Sequence, residues 1–188
     1  MTAGAVAVAA ISTRPVVVRD SRTDAASKAI DLMRVQLGRA SDGRLRAAVT
    51  ATESWAPKDL VASKGGPPGS ICLRLYTGGS KVEGVVPDYL VCITATKSGK
   101  KLRGSVLRER TNDFPERVTG AKVTRSSKRT VVVKFSQSSI GKPATVRFSA
   151  ESTRAGCTRT SCVDAAPNLP TVGTVKLREP SATTNRPE

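Results

Sequence analysis

The chain has 188 residues, 38% of them hydrophobic, with 31 Lys and Arg against 15 Asp and Glu, giving a formal charge of +16. That length suits one domain with a substantial core, and the charge draws it toward polyanions such as nucleic acid, acidic wall polymers or anionic lipid. There is no histidine, which excludes Ser–His–Asp and Cys–His catalysis and any His-ligated zinc site.

The first residues, Ala3-Gly-Ala-Val-Ala-Val-Ala-Ala-Ile11, are small and apolar with several Ala-x-Ala steps. They match the end of a secretory signal without its charged start, or else an ordinary flexible or strand-forming terminus. Residues 1–14 are therefore set apart from a domain over 15–179. No other stretch approaches the ~18 apolar residues needed to cross a bilayer. Pro15-Val-Val-Val-Arg19 is a first strand and Asp20–Asp24 a polar loop. Ala25–Arg39 carries helical propensity, but Ile30 with Leu32 and Val35 with Leu37 alternate, so a strand is predicted over Ala29–Leu37. Ser41-Asp-Gly43 then turns into a strand over Arg44–Thr52, as Asp-Gly favours.

Trp55–Leu60 is a helical turn opened by Pro57, and Lys64–Gly69 a loop. Strands follow over Ser70–Tyr76, Pro87–Thr96 and Lys101–Arg110, the last two joined by a turn at Lys97–Lys100. Val118–Thr124 and Thr130–Ser136 flank the turn Arg125–Arg129. Gln137–Gly141 is a second helical turn, Ala144–Ser152 and Thr171–Arg178 are the last strands, and 180–188 is a polar, disordered tail. About ten short strands rich in Val and Thr, with one or two helical turns, predict an all-β fold: an antiparallel, jelly-roll-like β-sandwich.

The four cysteines are Cys72, Cys92, Cys157 and Cys162. Cys72 and Cys92 lie in strands that can neighbour each other, and Cys157 and Cys162 share one loop, so the expected disulfides are Cys72–Cys92 and Cys157–Cys162. A four-cysteine zinc site lacks its second short knuckle; free thiols are the other alternative. An even, pairable set is the extracellular pattern, and the expected location is secreted or envelope-bound.

Several segments carry a family likeness: Ile30-Asp-Leu32, Asp42-Gly-Arg-Leu-Arg-Ala47, Pro87-Asp-Tyr-Leu-Val91, Val131-Val-Val-Lys-Phe135 with Ser139-Ile-Gly141, and Cys162-Val-Asp-Ala-Ala-Pro167. In this order, from Val16 to Leu177, the chain resembles secreted actinobacterial β-sandwich proteins of unknown function, related in outline to carbohydrate-binding-module-like and DOMON-like sandwiches. The resemblance implies a fold and an envelope setting, and brings no catalytic residues. Against a sugar-binding role, the chain has one Trp, two Tyr and three Phe.

Trp55, with Tyr76 and Tyr89, is either a ligand platform or, the preferred reading, a core plug. Asp20, Asp24 and Asp31, joined by Asp164 if the chain ends meet, are weak calcium candidates whose simpler roles are turns and an outward strand position. Nothing in the sequence brings together any two of Glu53, Asp88, Glu109, Glu116 and Glu151, as glycosidase chemistry would need. Ser98–Lys101 and Ser139–Lys142 have Ser-x-x-Lys spacing without its companion motifs. No enzyme, cofactor or metal is expected.

The basic segments are the strongest remaining candidates. Lys97, Lys100, Lys101, Arg103, Arg108, Arg110, Lys122, Arg125, Lys128 and Arg129 lie on successive hairpins, and Arg44 and Arg46 alternate with Leu45 away from the core. They form one polyanion-binding face if the hairpins are neighbours, and a generic solvated surface otherwise. Base-specific reading of nucleic acid is not expected, since no recognition helix or stacking aromatic accompanies the charge. Three functions compete: an extracytoplasmic domain binding an anionic wall polymer or a protein partner, a structural module making protein–protein contacts, and a cytoplasmic nucleic-acid-binding protein with free thiols.

Overall fold

The computed structural model describes residues 14–20, 30–62, 66–78, 86–157 and 162–177. Within them lie β1 (Val16–Arg19), β2 (Leu32–Arg39), β3 (Leu45–Ala51), β4 (Ser70–Tyr76), β5 (Tyr89–Ala95), β6 (Leu102–Arg108), β7 (Glu116–Arg125), β8 (Thr130–Phe135), β9 (Thr145–Thr153), β10 (Val163–Ala166) and β11 (Gly173–Lys176). Two 3-10 turns, Pro57–Leu60 and Gln137–Ile140, each bury one aliphatic anchor, Leu60 and Ile140. The predicted all-β, antiparallel sandwich is present.

Strands pair in the order β1-β2-β3-β8-β7-β6-β5-β4-β9-β10, with β11 also on β9. β7 belongs to both layers. Its first part, through Ala121, pairs with β6, whereas Lys122–Arg125 pair with β8. The sheet therefore folds over on itself at β7. Gly104 makes this corner possible: a Cβ there would lie 2.6 Å from Val123 Cγ2 and 2.7 Å from the Ala121 carbonyl. Inward residues from both layers, among them Leu37, Leu45, Leu73, Ile93, Val133 and Phe148, merge into one core.

Away from β7 the layers meet again, where β2 packs beside β9 and β10, and β1 beside β11. Side chains join this seam. The buried Asp164 carboxylate accepts the Leu32 N–H at 2.7 Å, and the buried Ser152 hydroxyl donates to the Ile30 carbonyl at 2.7 Å. Asp164→Ala would leave that N–H without its acceptor in a dry site, and should cost about 1–3 kcal/mol in a urea titration. No loss would show that the seam holds without the carboxylate.

Most strand ends fall within two residues of expectation, β11 for example covering Gly173–Lys176 inside the expected Thr171–Arg178, and three differences have a physical interest. β2 runs from Leu32 to Arg39, because a bulge between Leu32 and Arg34 resets its phase and turns both Leu32 and Val35 inward. β7 begins at Glu116, two residues early. β10 was not expected, and Asp164 lies in this strand rather than in a turn. Its inward carboxylate breaks the apolar alternation that marks a strand. The apolar N-terminal run and the tail lie outside the described residues.

Candidate polyanion-binding face

Alternation decides which way the basic residues point. Arg46 stands between inward Leu45 and Ala47, and Lys134 between inward Val133 and Phe135. Lys122 stands between Ala121 and Val123, which pack on the core, and Arg103 between Leu102 and Gly104. All four therefore face outward. Register then aligns them: Arg46 is opposite Lys134, and Lys134 opposite Lys122. The β6–β7 pairing ends at Gly104 and Ala121, and Arg103 and Lys122 are the next residue on each strand, so Arg103 stands at the end of the row just past that last pair. Three cations are thus in register across β3, β8 and β7, and a fourth lies next to them at the end of the β6–β7 pairing. Like charges directly opposite each other cost stability, about 0.2–1 kcal/mol per pair.

Among the described residues one carboxylate touches the row. Asp42 Oδ2 lies 3.1 Å from Lys134 Nζ, and this bond, with a second from the Arg44 N–H, holds the Asp42 carboxyl below the usual carboxylate range. Arg44 and Lys101 are exposed just beyond the row, at the ends of β3 and β6.

The row continues toward one end of the sandwich. Lys97, Lys100 and Lys101 are exposed on the β5–β6 turn, and Lys128 and Arg129 on the β7–β8 turn. Exposed Lys58 joins them, its Cα 3.1 Å from where a Cβ on Gly99 would sit. The other three candidates lie elsewhere or serve other ends. Arg125 is half-buried with its guanidinium 4.6 Å from the Trp55 ring, and it donates to the Trp55 and Lys128 carbonyls. It holds the hairpin down on the tryptophan. At the opposite end of β6, Arg108 stacks on Tyr89 at 5.6 Å and Arg110 pairs with Glu116. Sequence reasoning missed Lys134 and Lys58. Lys134 was legible as an outward residue of its strand and, through the expected β7–β8 hairpin, as a neighbour of Lys122, but its place beside Arg46 depended on a β3–β8 pairing 80 residues apart at Thr50 and Thr130.

A cavity of about 530 Å³ lies at the Arg108 end, lined by Thr77, Val86, Asp88, Tyr89, Arg108 and Asn112, among others. Asp88 is occupied there, accepting from the Thr77 N–H at 2.6 Å, its hydroxyl at 3.1 Å and the Gly78 N–H at 3.0 Å. Nearby, Arg74 binds Glu151 at 3.1 Å. Burial first, then the Glu151 charge, raises the Glu109 carboxyl above its ordinary value, while Arg74 pulls it down. The fold thus does bring two of the five carboxylates, Glu109 and Glu151, into electrostatic reach, with Arg74 ion-paired to Glu151 and acting only weakly on Glu109.

The remaining candidates take structural positions. Trp55, Tyr76 and Tyr89 are all buried, and Trp55 Nε1 donates to the Arg129 carbonyl at 3.3 Å. Asp24 lies outside the described residues. Asp20 follows β1 and Asp31 precedes β2, and no metal-holding group of three or more His, Cys, Asp or Glu occurs among the described residues. Ser98 bonds Thr96, and Ser139 donates to the Ser136 carbonyl.

All four cysteines are paired, Cys72 with Cys92 and Cys157 with Cys162, which leaves none for zinc or as free thiols. The first bond joins directly opposite residues of β4 and β5 on the outer face. Two disulfides fit an oxidising compartment. Among the described residues no helix is long and apolar enough to cross a membrane. No protein family, curated protein or solved structure matches the chain.

Proposed function

We propose that this chain is a non-catalytic, extracytoplasmic domain that binds an anionic polymer of the cell envelope. The in-register cations Arg46, Lys134 and Lys122, with Arg103 one residue past the last β6–β7 pair, are the observation that carries the reading. A surface selected only for solubility gains nothing from like charges placed opposite one another, since spreading them would serve solubility without the cost. Two disulfides and the resemblance to secreted actinobacterial sandwiches favour the same setting.

A pull-down on a wall phosphodiester polymer, a polyuronate and a neutral glucan tests it, with the triple variant Arg46→Gln, Lys122→Gln, Lys134→Gln as the control. The expected result is retention on one or both anionic polymers at physiological salt, none on the glucan, and loss of at least about tenfold in affinity for the triple variant, whose removed charges act through counterion release. Equal retention of the variant would overturn the reading.

One observation favours a second reading, an assembly module. Residues Glu116–Gly120 of β7 have β6 on one side only and are exposed throughout, and the loop before them carries Phe114 at 89% exposure. A partner strand added to that edge would bury both. Sedimentation of the parent and a Phe114→Ser variant separates the two: self-association lost in the variant favours assembly, and a monomer in both removes self-assembly.

A further inference from the structure

The row of cations follows a curve. Arg46 and Lys134 lie on one layer and Arg103 on the other, while Lys122 is the first residue of β7 beyond its change of partner from β6 to β8. The four charges therefore pass round the outside of the corner at which the sheet folds over. Strands stand about 4.8 Å apart, so the row is about 14 Å long at the backbone. Each successive strand is also rotated by roughly 20–25°, and the side chains fan outward from a convex surface.

That shape selects among polyanions. A rigid rod or a flat anionic surface meets a convex corner along a tangent and engages one or two cations at once. Duplex DNA, with a persistence length near 50 nm, does not bend over about 14 Å without a large cost. A flexible single chain with one anionic group per monomer can instead bend over β7 and meet all four. We infer that the ligand is such a chain, a phosphodiester or uronate type of polymer, lying across the strands from β3 over β8 and β7 to β6. This rests on the polyanion-binding reading above and specifies its ligand. Asp42, bonded to Lys134, is the one carboxylate touching that path among the described residues.

The probe is a labelled single-stranded thymidine oligomer, titrated by fluorescence anisotropy at several salt concentrations against its duplex of equal length, with polygalacturonate as competitor. Four contacts predict a slope of log K on log salt of about −3 for the single strand. Lys122→Gln should lower its magnitude by about 0.7, which is roughly fourfold in affinity near 0.15 M salt. Asp42→Asn should tighten binding, a gain that damage to the fold cannot produce. The Lys122→Gln melting midpoint should be unchanged or higher, since a like-charge opposition is removed.

The duplex should bind more weakly, with a slope of about half as many contacts. Displacement by polygalacturonate would show that the row takes uronates as well as phosphodiesters, and failure to displace would restrict the ligand to phosphodiesters. A duplex that binds as tightly as the single strand, or a Lys122→Gln slope equal to the parent's, would overturn this inference and leave polyanion binding standing. Absence of binding by oligomer and polyuronate alike would overturn both.

Discussion

Phe148→Ala is expected to destabilise the protein by about 3–5 kcal/mol, a large share of the total for a domain of this size. The ring is fully buried. It rises from β9 under β11, where Gly173 faces it in register. A Cβ on Gly173 would lie 2.5 Å from Phe148 Cζ and 3.0 Å from Val18 Cγ1, so the phenyl ring fills the space that a side chain on β11 would need and approaches β1 beyond it. Gly173→Ala alone should therefore overpack the seam by about 1–3 kcal/mol. Combined with Phe148→Leu, which frees that space, it should cost less than the two single changes added together. Urea titrations followed by the fluorescence of Trp55 measure the parent, Phe148→Ala and the members of this cycle. Strict additivity would show that the ring and β11 do not compete for the same volume.

Loss of the Cys72–Cys92 bond should have the next largest effect. Its partners are 20 residues apart, and the chain-entropy model assigns a loop of that length about 3 kcal/mol. The Cys157–Cys162 ring, with a separation of 5, is assigned about 2 kcal/mol. The first bond also fixes the register of β4 against β5 at the centre of their layer. Chemical denaturation of Cys72→Ala/Cys92→Ala beside Cys157→Ala/Cys162→Ala should rank them in that order. The reverse ranking would mean that the small ring, next to β10, holds the seam more strongly than its loop length implies.

Much of this architecture was legible because outward and inward residues alternate cleanly. β4 begins and ends where its alternation and flanking loop place it, and the 3-10 turns fall within the expected helical turns Trp55–Leu60 and Gln137–Gly141. The ambiguity at residues 25–39 had a physical source. Ile30 with Leu32 and Val35 with Leu37 are two alternating pairs out of phase, and the bulge at Met33 shifts one relative to the other, which imitates a helical spacing. β10 was hidden by a polar residue at an inward position.

The basic face was legible in part. That Arg44, Arg46 and the hairpin lysines point to solvent follows from local pattern. Lys122 and Lys134 are brought opposite each other by the local β7–β8 hairpin, but Arg46 joins them only through the β3–β8 pairing, and no local signal reports which distant strand lies alongside. Arg125 illustrates the same gap from the other side: nothing near it in sequence announces that Trp55, 70 residues earlier, lies under its guanidinium.

Those distant pairings also govern how the chain reaches its fold. β3 finds its second neighbour only in β8, where Thr50 pairs with Thr130, 80 residues on, and β4 only in β9, to which it is also tied by the Arg74–Glu151 ion pair across 77 residues. Neither layer can close until most of the chain is present, and the entropy of those long loops is lost before the contacts repay it. Folding on the millisecond-to-second scale is the consequence, as for other β-rich proteins dominated by non-local contacts. Until β8 arrives, the hairpin of β2 and β3 has an open edge, and Arg46 on its outer face supplies a charge that discourages pairing with another chain.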